Sequence, residues 1–313
     1  PSEPYTSDQV INICRRLYEQ PGFTTWRSRN SVRHDLTNRL LPVNIEGVSQ
    51  QLEYRSPDLE YHGKLWVSAL DDAKVGIQVS ARDGTPKGMK AAQRVENFFY
   101  TIYYDLARHR TGLTFAPRRR ALHQQTHYGM GVLGLDWSRD IQQLIWRKSV
   151  DTPEKFRAQL TEAAFTGNPF SFFCPDINAC AWEPDFSAVC EVGEQTVSSL
   201  LGEYDELSYS AGGFYWLTSE TEQEGLAETQ RKAKVYRLHT RDYIYHVCEE
   251  GQKPFELDVR PNFASRPMYA FIPGQITSER EPHEAFRPLI GEMHGVAEIT
   301  NVTGTLIQSG ALQ

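Results

Sequence analysis

The stretch that most constrains this chain is its last, residues 286–313, FRPLIGEMHGVAEITNVTGTLIQSGALQ. Leu289, Met293, Val296, Thr300, Thr303, Ile307 and Gly310 recur at steps of three and four, which is one face of a long helix. Pro288 stands where a first helical turn accepts proline, because its missing N–H would have no partner within the helix. Only Glu292 and Glu298 carry charge between Leu289 and Gln313. So little charge on so long an element predicts neighbours on most sides. Glycine costs about 1 kcal/mol relative to alanine inside a helix. Gly291, Gly295, Gly304 and Gly310 therefore predict close approach by another helix, or a bend.

A length of 313 residues suffices for one large core or two lobes. The formal net charge of −7 argues against tight, general nucleic-acid binding through a basic surface. An acidic protein can still surround DNA that has to slide. No run approaches the roughly 18 apolar residues of a membrane helix, and the first ten residues show no basic-then-apolar signal. Without an initiator methionine, the chain reads as trimmed at both ends. Cys14, Cys174, Cys180, Cys190 and Cys248 are odd in number and contain no C-x-x-C pair, so reduced, buried thiols are expected.

Thr6-Ser-Asp predicts a helix cap, with Val10, Ile11, Cys14 and Leu17 as the apolar face and Pro21-Gly22 as its end. A basic second helix is expected over 24–40. Residues 43–84 are mixed, and KLWVSALDDAKVGIQVSA reads as extended pieces around Asp71-Asp72. Pro86 and Pro117 open two further helices, the first striped by Ala92, Val95, Phe99, Ile102, Tyr103 and Leu106 and ended by Gly112. The second turns into a strand after Gly134. Asp151-Thr-Pro caps a short helix carrying Phe156, Leu160 and Ala164. Residues 169–193 are strand-and-turn material and 194–204 a short helix. Residues 208–273 are β-rich around an acidic, solvated loop, TSETEQEGLAET.

The possible chemical motifs are weak. Gly129-Met-Gly131-Val-Leu-Gly134 spells G-x-G-x-x-G, but a dinucleotide site needs a strand before it and a helix after it. Here the order is inverted, which predicts a close-packed helix-to-strand junction instead. His123 and His127 have zinc-helix spacing, yet Gln124 replaces the glutamate base of a zincin and no third ligand is near, so polar helix histidines are expected. Asp176, Glu183, Asp185 and Glu191 offer paired carboxylates for acid–base work, although Pro-Asp turns explain two of them. Arg118, Arg119 and Arg120 open a helix, where the dipole disfavours positive charge. That cost points to an acidic partner, a neighbouring subunit or phosphate, against a merely solvated start. Phe98, Phe99, Tyr100, Tyr103 and Tyr104 read as packing residues rather than base-stacking ones. No cofactor-binding, metal or catalytic set emerges, and a structural role is expected.

The order of these elements resembles the portal proteins of tailed bacteriophages. The residues that carry the likeness are GMKAAQRVENFFYTIYYDLARHRTG followed by RRRALHQQTHYGMGVLGLDW, then NPFSFFCPDINACAWEPDFSAVCEVGEQTV. They continue with VYRLHTRDYIYHVCEEGQKPF, and with RPMYAFIPG leading into FRPLIGEMHGVAEITNVTGTLIQSGAL. The likeness rests on their order, and it covers most of the chain from about residue 43. The resemblance implies an α+β, portal-like fold. Its parts are a wing over 1–188, a first stem helix over 189–207, a β-rich clip-like lobe over 208–274 and a second stem helix over 275–313. The family's tunnel and crown segments would follow. It further implies a homo-oligomeric ring, a dodecamer, at a capsid vertex of the virion, assembled in the host cytoplasm. Double-stranded DNA would pass through it. The terminase large subunit, the major capsid protein and a head–tail adaptor would be its partners, with no enzyme activity and no membrane. Arg118, Arg119, Arg120, Gly291, Gly295 and Gly304 then become expected subunit-interface residues, and Arg280 and Arg287 expected DNA-facing ones. The alternatives are a carboxylate-dependent hydrolase or another head–tail adaptor or structural virion protein.

Overall fold

The computed structural model describes residues 3–40, 42–43, 45, 54–73, 76–108, 116–137, 170–204, 207–210, 212–217, 231–251, 253–262, 264–276 and 286–309. It is an α+β protein made of two compact units. One comprises residues 1–25 with 178–268, the other 26–177 with 269–313. The expected helix around residues 152–164 and the acidic loop at 218–229 lie outside the described residues.

The first unit is built on helix α1 (Ser7–Tyr18) and an antiparallel five-stranded sheet. Its strands are β3 (Cys180–Trp182), β4 (Ala188–Thr196), β7 (Lys232–Thr240), β8 (Tyr243–Glu250) and β9 (Lys253–Pro261), side by side in that order. Thr6 starts α1 as its sequence predicts. Its hydroxyl accepts the Gln9 N–H, and the Gln9 side chain accepts the Thr6 N–H at 2.9 Å, a reciprocal capping box. Val10, Ile11, Cys14 and Leu17 are buried against the sheet. Arg15 reaches Glu249 at 2.6 Å, and the Tyr5 ring stacks on Tyr245.

The alternation of strand side chains gives the sheet a second face. Ala233, Val235, Cys248 and Leu257 form a core there with α6 (Val197–Glu203) and the hairpin β5 (Leu207–Ser210)–β6 (Gly213–Trp216). Residues 189–207, expected as one stem helix, are therefore strand as far as Thr196 and helix only over Val197–Glu203. The β-branched valines of AVCEV favour the pleated surface, and Thr196 then caps the helix by accepting the Ser199 N–H. The sheet accordingly starts at Cys180, ahead of the expected clip boundary at 208.

The second unit holds α2 (Pro21–Thr37, from Trp26 on), α3 (Asp58–Asp72), α4 (Pro86–Arg108), α5 (Pro117–Tyr128) and α7 (Gly291–Gln308). Its three-stranded sheet places β1 (Met130–Trp137) between β10 (Tyr269–Pro273) and β2 (Phe170–Phe173). A short pair, β11 (Gln275–Ile276) with β12 (Phe286–Arg287), precedes α7. Residues 64–72, expected as extended, are instead the later part of α3. Leu59, Gly63 and Val67 form the buried stripe, and its central position has no side chain to register as hydrophobic. Gly63 is needed there because the His127 ring fills the space, 2.4 Å from where a Cβ would lie.

The junction at Gly129 follows the inverted order read from sequence. Gly129 is the left-handed C-cap of α5 with φ 91°, and its N–H bonds to Gln125 O at 3.2 Å. Strand β1 begins at once, at Met130 rather than after Gly134. Gly131 passes so near α5 that a Cβ would sit 2.2 Å from the Ala121 carbonyl oxygen.

Candidate assembly surface

Helix α7 turns a polar stripe inward. Ile290, just before it, and His294, Ala297, Asn301 and Thr305 are buried. The two polar side chains near its end hold the segment that leads into α3. Asn301 Oδ1 accepts the Ser56 N–H at 2.7 Å, and Thr305 Oγ1 accepts the Tyr54 N–H at 2.8 Å. Backbone donors that would otherwise be orphaned are thus satisfied. The opposite stripe is aliphatic and open: Val296 is 60% exposed, Ile299 69%, Val302 43% and Ile307 59%. Of the face read from the sequence, Val296 and Ile307 are thus turned outward, while Met293 packs on the core. Hydrogen-bond geometry, not hydrophobicity, sets which side of this helix is buried.

Helix α4 repeats the pattern. Of its expected apolar stripe Ala92 is buried, while Val95 and Phe99 are exposed, and so is the adjacent Phe98. The phenylalanines read as packing residues are half-exposed, with their rings edge to face. Tyr100 differs: its hydroxyl accepts the Ile77 N–H at 3.1 Å. The side chains of Ile102, Tyr103, Tyr104 and Leu106, like Gly112, lie outside what is described. Tyr61, Leu65 and Trp66 of α3 are also exposed. Among the described residues, the first unit shows Tyr5 and Phe186 as its exposed large hydrophobics.

The arginine cluster finds an acidic partner within its own chain. Arg118 donates to Leu70 O at 2.9 Å and lies 3.6 Å from Asp71, with Arg119 4.0 Å from the same carboxylate. The C-terminal carbonyls of α3 and Asp71 offset the unfavourable position of Arg118 at the start of α5. Arg120 is exposed. Gly304 is occupied internally too, by the Tyr54 ring. Gly295 faces open space, and Gly291 has ordinary room beside Pro288. Arg287 is exposed on β12, and Arg280 lies outside the described residues.

The second unit carries histidines on α2, α5 and α7, of which His127 and His294 are buried. The rings of His123 and His127 are 4.3 Å apart, His127 Nδ1 is 3.4 Å from Thr37 Oγ1, and His34 Nδ1 is 3.1 Å from the Tyr128 hydroxyl. Burial, with the neighbouring His123, brings His127 down to about 3. Burial brings His294 down to about 4 and raises Tyr128 to about 12. His127 and His294 are buried core residues held neutral, whereas His34 and His123 lie on exposed positions of their helices. Among the described residues, no group of three or more His, Cys, Asp or Glu side chains could hold a metal ion.

Three of the acidic residues of the 176–191 region make local contacts. Glu183 pairs with Arg16 at 2.9 Å, Asp185 accepts the Ser187 N–H in its turn, and Glu191 lies 3.9 Å from Arg237 on the next strand. Asp176 is exposed. The five cysteines are free and buried, as their number and spacing predict. No helix is long and apolar enough to cross a membrane among the described residues. Neither a protein-family model nor a curated protein matches the chain.

Proposed function

We propose that this chain is a subunit of a phage portal: a ring at a capsid vertex of the virion through which double-stranded DNA is packaged and ejected. The terminase large subunit, the major capsid protein and a head–tail adaptor are its partners in this reading, and its role is structural rather than catalytic. The observation that carries it is α7, with hydrogen-bonding residues turned inward and aliphatic residues turned to the outside. Burying a side chain such as Ile or Val contributes about 1.5–3 kcal/mol, so such a stripe favours association with further copies.

Other features support the same reading. Strand β9 has no partner on its outer side among the described residues, and an unpaired edge of this length suits pairing with a neighbour. The net charge of −7 suits a channel that should let phosphates slide. The order of elements resembles that of portal subunits, with a β-rich unit set before a long helix.

Negative-stain microscopy of the purified chain tests the proposal. Rings with a central hole wide enough for duplex DNA are expected. Open filaments or isolated particles of one chain would contradict it.

A further inference from the structure

The exposed stripes of α4 and α7 differ in charge, and the difference says which meets which. On α4, Lys87, Lys90 and Arg94 recur at steps of three and four beside the stripe of Val95, Phe98 and Phe99. All three cations are exposed and make no ion pair among the described residues. Helix α7 contains no lysine or arginine; its charged residues are Glu292 and Glu298, and Glu298 is exposed without an ion pair.

Like-with-like contacts fit poorly. Two α4 helices would bring three cations against three cations, and two α7 helices would bring glutamates together. We infer that α4 of one copy packs on α7 of the next, aromatic stripe against aliphatic stripe, with the α4 cations facing Glu298. This inference rests on the ring reading and names the contact that builds the ring. Because the two surfaces are different, the contact is heterologous: it propagates from copy to copy and closes only as a ring. Both stripes belong to the same compact unit, so each copy offers both halves.

Two experiments on the full chain test it. Phe98→Cys and Ile299→Cys are made separately and treated with a short bis-maleimide; the native cysteines are buried and free. Cross-linked dimers are expected when the two variants are mixed and assembled, and not with either alone. Dimers from Phe98→Cys alone, or none from the mixture while rings still form, would overturn the contact and leave the ring reading standing. In the second, Lys87→Glu/Lys90→Glu/Arg94→Glu raises the concentration needed for assembly by about tenfold or more. Glu298→Lys, added to that variant, recovers part of the loss. Circular dichroism confirms that these surface variants fold. A triple variant that assembles like the wild type would overturn the contact. A wild-type chain that stays monomeric but floats with vesicles of anionic phospholipid would overturn both the contact and the ring.

Discussion

Gly304 of α7 lies against the ring of Tyr54, so closely that a Cβ at 304 would sit 2.3 Å from Tyr54 Cδ1 and 2.9 Å from its Cβ. A mid-helix glycine here is the space in which the segment before α3 is docked. Alanine at 304 gains about 1 kcal/mol of helix propensity but overpacks the site at about 1–3 kcal/mol. Gly304→Ala should therefore lower stability by up to about 2 kcal/mol in urea unfolding. In a Tyr54→Ala background the same change should be neutral or stabilising. Equal effects in both backgrounds would show that the ring is not the constraint.

The tight passage at Gly131 predicts a larger loss. Its obstacle is the backbone carbonyl of Ala121, which cannot swing aside like a side chain. Gly131→Ala should cost about 3 kcal/mol or more, at the upper end of overpacking. Gly295→Ala, where no atom lies within 4 Å, serves as the control. Helix propensity alone makes it stabilising by about 0.5–1 kcal/mol. A thermal melt of both variants decides the matter.

Arg118 acts as a cap on α3 as well as a partner of Asp71. Arg118→Ala should cost about 1–2 kcal/mol. Arg118→Glu should cost more, because it sets a carboxylate beside Asp71 and the negative end of α3. Arg120→Glu, on the exposed side, should change stability by under about 0.5 kcal/mol. If Arg118→Glu melts like the wild type, the capping role is wrong.

Acid should destabilise the protein through its buried histidines. His127 and His239, each held at about 3, and His294, at about 4, titrate far below the ordinary histidine range of about 6.5. Between those values the unfolded chain binds protons that the folded one refuses. Their contribution is complete above about pH 6.5 and is lost as pH falls towards 4 and 3. The slope is at most about 1.4 kcal/mol per pH unit for each histidine. Urea unfolding at pH 7, 6, 5 and 4.5 should show it, and His127→Gln should flatten the curve. A stability constant over that range would refute the assignment.

Much of the architecture was legible in the sequence. Thr6 and Gln9 announce the start of α1, Pro86 and Pro117 the starts of α4 and α5, and the Tyr- and Val-rich runs the strands of the first unit. The junction at Gly129 could be told from a dinucleotide loop by the order of its neighbours. What was hidden depended on contacts distant in sequence. Periodicity in α7 marks the face of Met293, Val296 and Ile307, and only the backbone donors of Tyr54 and Ser56 decide that Asn301 and Thr305 turn inward. Their spacing of four, with Ala297 and His294 continuing the stripe, was the available signal. In α3, Gly63 masked the stripe because its volume is supplied by His127. Arg118 looked unpaired because its partners belong to a helix some 48 residues earlier.

The central claim is that the exposed helix stripes build a closed ring. Light scattering coupled to size exclusion measures this most directly. The account predicts one closed species, about twelve copies of the 35.8 kDa chain, whose mass stays fixed as concentration rises. A mass of 35.8 kDa at every concentration, or one that grows without limit, would contradict it.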